Sequence, residues 1–111
     1  MMRIFGNGNL VKDPEELTFN EKGKICKFTL AVNERYTNED GSRPVQYFTV
    51  ITWNNIADNC LKYLKKGSKV AVYGNPQIRS YENSNGEKKQ VFEIVATEVE
   101  FIVTPKNENN F

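Results

Sequence analysis

A chain of 111 residues, 39% apolar and 26% charged, has the size and composition of one globular domain. Its net charge of +1 is too small to draw the whole molecule onto a polyanion, so any nucleic-acid binding must come from local patterning. The sequence has no histidine, the commonest general base and metal ligand, which argues against hydrolytic chemistry. We therefore expect no catalytic residues, no bound metal and no cofactor.

The sequence shows neither a membrane-spanning segment nor a signal peptide. No apolar run approaches the roughly 18 residues that cross a bilayer, and residues 1–7 lack the apolar core of a signal peptide. We therefore expect a cytoplasmic protein. Cys26 and Cys60 lie in apolar patterns without metal-ligand spacing, which favours buried free thiols over a disulfide.

The first two predicted strands differ in clarity. Residues 4–5 begin a strand that the glycines and asparagines of 6–9 interrupt, which predicts a weak or bulged first strand. Residues 12–14, Lys-Asp-Pro, signal a turn. Residues 26–32 alternate cleanly between apolar and polar side chains and predict the second strand.

The third predicted strand, Tyr47–Trp53, carries two large flat side chains on one face. Trp53 lies six positions after Tyr47, and an even spacing places both side chains on the same face of a strand. At the rise of a strand their Cα atoms lie roughly 20 Å apart. Rings on an exposed face offer stacking platforms to the bases of an unpaired strand. Because Phe48 and Val50 make the opposite face apolar too, the pattern alone leaves open whether the two rings are core or platform.

One helix is predicted after the third strand, with Asn54 or Asn55 as its cap. Its apolar positions fall at helical spacing: Ile56, Cys60, Tyr63 and Leu64. The sequence Lys65-Lys66-Gly67 is typical of a helix end, since lysines suit the negative end of the helix dipole and glycine suits a left-handed turn. Tyr63 and Tyr73 are assigned to the core.

The remaining segments predict a long hairpin. Residues 70–73 begin a strand that Gly74-Asn75-Pro76 bends or bulges before it continues to Tyr81. Residues 82–87 contain Asn-Gly and predict the tip, and residues 91–103 return as the last strand.

The order β-β-β-α-β-β predicts an all-β fold, the five-stranded oligonucleotide-binding Greek-key barrel, with one α-helix between strands 3 and 4. We expect residues 1–105 to form this domain. The polar residues 106–111 have nothing to bury and predict a short flexible C-terminal tail.

Four short sequences then resemble the bacterial and phage single-stranded DNA-binding proteins: Gly8–Pro14, Phe28–Asn33, Tyr63–Ser68 and Arg79–Glu82. Each is weak alone, but their order and spacing extend the resemblance over residues 3 to 105. The resemblance implies a homo-oligomer, usually a homotetramer, that wraps unpaired DNA in replication, recombination and repair without catalysis. It also implies a cytoplasmic, nucleoid-associated location.

The resemblance further implies site residues. Bases would stack on four rings: Tyr36, Tyr47, Trp53 and Tyr81. Phosphates would pair with basic side chains beside them: Arg3, Lys12, Arg35, Lys65, Lys66, Arg79, Lys88 and Lys89. For the pair Lys65-Lys66 the helix dipole is a sufficient alternative explanation.

The sequence also departs from the family. Gly6-Asn7 stands where the family's first strand is usually apolar and often pairs between subunits, so the assembly stays open between tetramer and dimer. Full-length members continue to an acidic tip ending in Pro-Phe, whereas this chain has Glu108 and a terminal Phe111. That predicts a short or truncated form without recruitment of repair proteins by the tip.

Two other functions are compatible with a barrel of this kind. The main alternative is an oligonucleotide-binding barrel that serves as a protein-interaction module in a replication or primosome complex. An RNA-binding barrel of the cold-shock type would need dense aromatic motifs that the sequence lacks.

Overall fold

The computed structural model describes residues 1–18 and 23–105 and contains six strands and one helix in that part of the chain. The strands are β1 (Ile4–Leu10), β2 (Glu15–Thr18), β3 (Lys24–Asn33), β4 (Val45–Trp53), β5 (Lys69–Glu82) and β6 (Lys88–Val103). The helix α1 (Asn54–Tyr63) lies between β4 and β5. The predicted tail, 106–111, lies outside the described residues.

Five of these strands close into a barrel. Neighbouring strands follow the order β1-β5-β6-β4-β3, and β1 pairs with β3 at Asn9–Ala31 and Leu10–Leu30 to complete the ring. The pairings are antiparallel except between β4 and β6, which run parallel. The predicted oligonucleotide-binding barrel with its single helix is confirmed.

The predicted strand count of five is wrong, because β2 is a sixth strand. It pairs only with the first part of β3, outside the closed ring. Its sequence begins with two adjacent carboxylates, Glu15 and Glu16, and so lacks the alternation that marks a strand. Cross-strand charge supports it instead, since the Lys24 ammonium lies 3.6 Å from a Glu16 carboxylate oxygen.

The first strand is also more regular than its sequence predicts. β1 pairs with β5 without interruption from Ile4–Gly74 to Asn9–Lys69, so the expectation of a weak or bulged strand is wrong. Position 8 has no room for a side chain, because a Cβ on Gly8 would clash with the backbone of Ala31. The glycine permits the close approach of β1 and β3 that closes the barrel.

The core fills the barrel from alternate positions of each strand. Its largest fully buried apolar side chains are Phe28, Leu30, Val50, Val70 and Val72. The connection between β4 and β5 adds Ala57 and Cys60 from the helix and Leu64 from the residue that follows it. Within the described residues, no helix is long and apolar enough to cross a membrane.

Both ends of α1 differ from the prediction. Trp53 occupies the N-cap position and makes no side-chain capping bond, so neither Asn54 nor Asn55 caps the helix. The helix ends at Tyr63, ahead of the lysine pair. Gly67 does adopt a left-handed conformation, with φ of 90°, but in the turn that follows the helix.

Tyr63 is not a core residue, because 52% of it is exposed at the last position of the helix. Its ring packs against Phe101, with centroids 6.3 Å apart. The assignment failed because the buried side chains are Ala57 and Cys60 of α1 and Leu64 just after it, which leaves Tyr63 at the border of the buried stripe.

The two cysteines are buried free thiols, as predicted. Cys26 lies on β3 and Cys60 on α1, and both are fully buried. Interaction with the Cys26 side chain, together with burial, raises the pKa of the Cys60 thiol. The pair therefore behaves as part of the core.

The ladder between β5 and β6 contains the bulge that the sequence predicts near Gly74. Tyr73 pairs with Glu98 and Gly74 with Ala96, which leaves Thr97 as the extra residue on β6. The Thr97 hydroxyl donates a hydrogen bond to the Tyr73 carbonyl at 3.2 Å. The bulge lies where β5 stops pairing with β1 and continues with β6 alone.

Beyond the bulge, β5 and β6 form a long two-stranded hairpin that reaches the pair Glu82–Lys88. The Asn83 side chain closes its tip, because its oxygen accepts backbone N–H groups of Asn85 and Glu87 at 3.0 and 2.9 Å. Gly86 takes the positive φ of 79° that the Asn-Gly sequence predicts.

Candidate nucleic-acid interface

The alternation of β4 decides the orientation of its two rings. Val50 and Thr52 are fully buried and point inward, so Tyr47 and Trp53, an odd number of residues away from each, point outward. Tyr47 is 65% exposed and Trp53 40% exposed. The expectation that these rings face outward is confirmed.

The strand register extends this outward surface across two more strands. Thr49 of β4 pairs with Glu93 of β6, and Glu93 pairs with Gln77 of β5. Because side chains two residues apart share a face, Arg79 and Tyr81 lie on the same side as Gln77. We call this surface the ring face: the outward side chains of 47–53 on β4, 89–95 on β6 and 77–81 on β5.

Tyr36 reaches solvent from the loop between β3 and β4. The base of that loop is closed by the Glu34 N–H, which donates to the Pro44 carbonyl at 2.9 Å. Nearer its tip, the Asp40 carboxylate accepts the Ser42 hydroxyl at 2.6 Å, which lowers the pKa of Asp40. Tyr36 is 60% exposed on this ordered loop.

The four predicted stacking rings share one further property. The aromatic pairs in the described part of the chain are Phe5–Tyr73, Phe48–Phe92 and Tyr63–Phe101. None of the pairs includes Tyr36, Tyr47, Trp53 or Tyr81. An exposed ring without an aromatic neighbour keeps a π-face open to a base.

Three of the eight predicted phosphate partners already hold a carboxylate. The pairs are Lys12–Glu15 at 2.8 Å, Arg79–Glu93 at 3.3 Å and Lys89–Glu87 at 3.2 Å. The hydrogen bond and charge of Lys12 lower the pKa of Glu15. These three cations are less available to a phosphate than an unpaired one.

The other predicted phosphate partners take part in no ion pair among residues 1–18 and 23–105: Arg3, Arg35, Lys65, Lys66 and Lys88. Arg35 precedes Tyr36 in the loop. Lys88 pairs with Glu82 at the start of β6, one residue from the strand partner of Tyr81, so its side chain points to the opposite side of the hairpin from the ring face. Of these five cations, Arg35 is the one that lies next to a predicted stacking ring.

The structure does not bring Lys65 and Lys66 to the ring face. Their loop is fastened to the end of β1, where the Gly67 N–H donates to the Leu10 carbonyl at 2.9 Å. The backbone N–H of Lys66 donates to the Asp13 carboxylate at 2.8 Å. A neighbouring carboxylate makes this loop a poor place for a phosphate.

Two basic residues near the rings were missed by the sequence reasoning. Arg43 is exposed in the same loop as Tyr36, and the Glu34–Pro44 bond places it opposite Arg35 at the loop base. Lys27 lies on β3 beside Ile51 of the ring face. The position of Lys27 beside the ring face follows from the pairing of β3 with β4. Arg43 could have been found from the sequence, because it lies at the far end of the polar loop that begins near Arg35.

A closed barrel with unpaired outward rings defines a class of protein, the oligonucleotide-binding folds that stack bases on aromatic side chains. Residues 1–102 match the Single-strand binding protein family. The chain belongs to that family.

Relatives and a solved structure agree with this. The chain is 41% identical over 103 residues to a single-stranded DNA-binding protein of Staphylococcus aureus, covering 93% of this chain and 65% of that one. It is 43% identical over 106 residues to single-stranded DNA-binding protein A of Bacillus subtilis, covering 95% of this chain and 60% of that one. The chain therefore spans less than two thirds of the length of these relatives.

The fold is also similar to a Plasmodium falciparum SSB solved in complex with ssDNA. The TM-score is 0.84 at 26% sequence identity, over 93% of this chain and 96% of that one. The similarity therefore extends over nearly the whole of both chains.

Proposed function

We propose that this protein binds single-stranded DNA without sequence preference and protects it during replication, recombination and repair. Bases stack on Tyr36, Tyr47, Trp53 and Tyr81, at about 1 to 3 kcal/mol per base. Stacking tolerates any sequence because every base has a π-face. The chain acts by binding and performs no catalysis.

One observation carries the proposal. Three of the four rings stand outward on the continuous ring face, and the fourth extends from the adjoining loop, all exposed and outside the aromatic pairs of the described chain. Large exposed rings are costly in water, and a surface that keeps several of them together is typical of a binding site. Membership of the Single-strand binding protein family and the names of the relatives support the choice of ligand.

Phosphates are held by the predicted basic side chains, chiefly those without a carboxylate partner in the described chain. Arg35 is the strongest of these because it lies next to Tyr36. Each phosphate contact on a single strand contributes about 0.7 to the slope of log K against log salt. The affinity of the protein for DNA should therefore fall as salt rises.

The assembly is proposed to be a homotetramer, with a dimer as the alternative. Apolar side chains outside the ring face support burial against other copies of the chain: Phe5 is 61%, Ile102 46% and Val103 58% exposed. The cytoplasm, in association with the nucleoid, is the location that this ligand implies. Light-scattering mass with and without oligo-dT tests the assembly.

The decisive experiment compares two exposed tyrosines. Fluorescence anisotropy of labelled oligo-dT gives the affinity of the unmodified protein, of Tyr47→Ala and of the matched control Tyr63→Ala. Tyr63 is similarly exposed but lies on α1 and is engaged by Phe101. We expect Tyr47→Ala to lose about 5- to 150-fold in affinity and Tyr63→Ala to lose none.

Equal affinity of all three proteins would contradict the stacking mechanism. The alternative function, a protein-interaction module, predicts that even the unmodified protein shows no salt-sensitive uptake of oligo-dT.

A further inference from the structure

A buried carboxylate lies in the middle of the ring face. Glu93 is 6% exposed and is the only buried acidic side chain among the described residues. Its strand neighbours on the ring face are Thr49 of β4 and Gln77 of β5. Phosphates approaching this face would be repelled by an uncompensated carboxylate, so its compensation matters for binding.

Arg79 provides that compensation. Its Nε donates to Glu93 Oε1 at 3.3 Å and its Nη2 to Glu93 Oε2 at 3.5 Å. The two donors on one edge of the guanidinium are therefore both hydrogen-bonded to the Glu93 carboxylate. The Arg79 side chain is 53% exposed and that of Glu93 only 7%, so the guanidinium lies on the solvent side of the pair.

This arrangement changes what Arg79 offers to a nucleic acid. Its positive charge is offset by a carboxylate at hydrogen-bond distance, which weakens its attraction for a phosphate. Its planar π-faces do not take part in the edge-on pair and remain able to stack on a base, as guanidinium planes do in nucleic-acid complexes. A lysine at this position would offer neither the plane nor the two-donor edge.

The position of Arg79 suits a stacking role. Arg79 and Tyr81 are two residues apart on one face of β5, about 7 Å along the strand. The register places Arg79 opposite Val91, between Tyr81 and the centre of the ring face. A planar group held there continues the series of rings from the hairpin towards β4.

We propose that Arg79, positioned by Glu93, is a fifth stacking platform for bases and not a phosphate partner. The proposal rests on the proposed function, since it assigns a role within the same binding surface. Glu93 acts as a positioning residue that fixes the guanidinium and cancels its charge. Arg79 then contributes affinity without contributing to the salt dependence.

Two substitutions of Arg79 separate the roles. Arg79→Lys keeps the charge and removes the plane, whereas Arg79→Gln removes both and leaves the Glu93 carboxylate uncompensated. The stacking role predicts that both lose about 5- to 30-fold in affinity for oligo-dT at fixed salt. It also predicts an unchanged slope of log K against log salt for Arg79→Lys, which keeps the charge of the pair balanced. The control Arg35→Gln, which removes a cation beside Tyr36 that has no ion pair in the described chain, should make the slope shallower by about 0.7.

A third variant tests Glu93 itself. Glu93→Gln removes the charge that cancels Arg79, so the released guanidinium becomes a phosphate partner and the salt slope steepens by about 0.7. A merely structural role of Glu93 would change thermal unfolding but would leave the salt slope as it was. If Glu93→Gln fails to fold, the two Arg79 variants still decide the question.

Two results would overturn the proposal: wild-type affinity for Arg79→Lys, or an unchanged salt slope for a folded Glu93→Gln. Titration of the unmodified protein comes first and separates the two failures. If that protein takes up no oligo-dT, the proposed function itself is wrong and the role of Arg79 falls with it.

Discussion

Exposed aromatic side chains occur on this molecule in two settings. Phe5, Tyr63 and Phe92 are partly exposed, yet each packs against another ring. Tyr47, Trp53 and Tyr81 are exposed to a similar degree and belong to none of the aromatic pairs in the described chain. Exposure alone therefore does not distinguish the two sets, whereas the presence of an aromatic neighbour does.

The difference indicates separate uses of the same residue types. A ring packed on another ring gains its favourable contacts within the fold, so its loss should appear in stability. A ring without such a neighbour gains them only from a ligand, so its loss should appear in binding. Measuring stability and DNA affinity for one member of each set tests this division.

The largest effect is expected at Trp53. Trp53→Ala should weaken oligo-dT binding by about 5- to 150-fold, the range that corresponds to one stacked base. The helix should be unaffected, because the Trp53 side chain makes no capping bond. Anisotropy titration measures the affinity, and Trp53→Phe, which keeps an aromatic face, should restore most of it.

A smaller effect, on stability and not on binding, is expected at Phe92. Its ring lies 6.3 Å from Phe48 and is 41% exposed, so Phe92→Ala should cost about 1 to 2 kcal/mol of unfolding free energy, less than a fully buried phenylalanine. Urea unfolding measures this. A large loss of DNA affinity with unchanged stability would show that the division between the two sets is wrong.

The cations should divide in the same way, with a modest effect on salt dependence. Arg35 lies beside Tyr36 and has no carboxylate partner in the described chain, whereas Lys12 lies 2.8 Å from Glu15. Arg35→Ala should make the slope of log K against log salt shallower by about 0.7, and Lys12→Ala by less. Titrations at several salt concentrations test this, and the reverse order would contradict it.

The smallest effect is expected from removing a hydroxyl group. Tyr81→Phe keeps the π-face and removes only the phenolic oxygen, so its affinity for oligo-dT should stay within about twofold of the unmodified protein. A loss as large as that of Tyr81→Ala would mean that the hydroxyl, and not the ring, makes the contact.

The sequence predicted those features that depend on local periodicity. The alternation of β3 and β4 and the helical spacing of Ile56, Cys60 and Leu64 were sufficient to place three central elements of the barrel. Family resemblance then selected the outward orientation of Tyr47 and Trp53, which alternation alone had left open.

The features that were missed depend on contacts between distant segments. β2 forms only because a neighbouring strand supplies its partner, and β1 is regular because Gly8 permits a close approach to Ala31. The pair Arg79–Glu93 joins two strands across a hairpin, and its register is set by the bulge at Gly74. No local sequence pattern indicates the register of two strands so joined.

The central claim is that unpaired outward rings receive the bases of single-stranded DNA. Trp53 is the only tryptophan of the chain and lies on the ring face, so its fluorescence reports base stacking there without an added label. Titration with oligo-dT should give a saturable quench, and a duplex of the same length should give little change. An emission that stays unchanged through saturating oligo-dT would contradict the account.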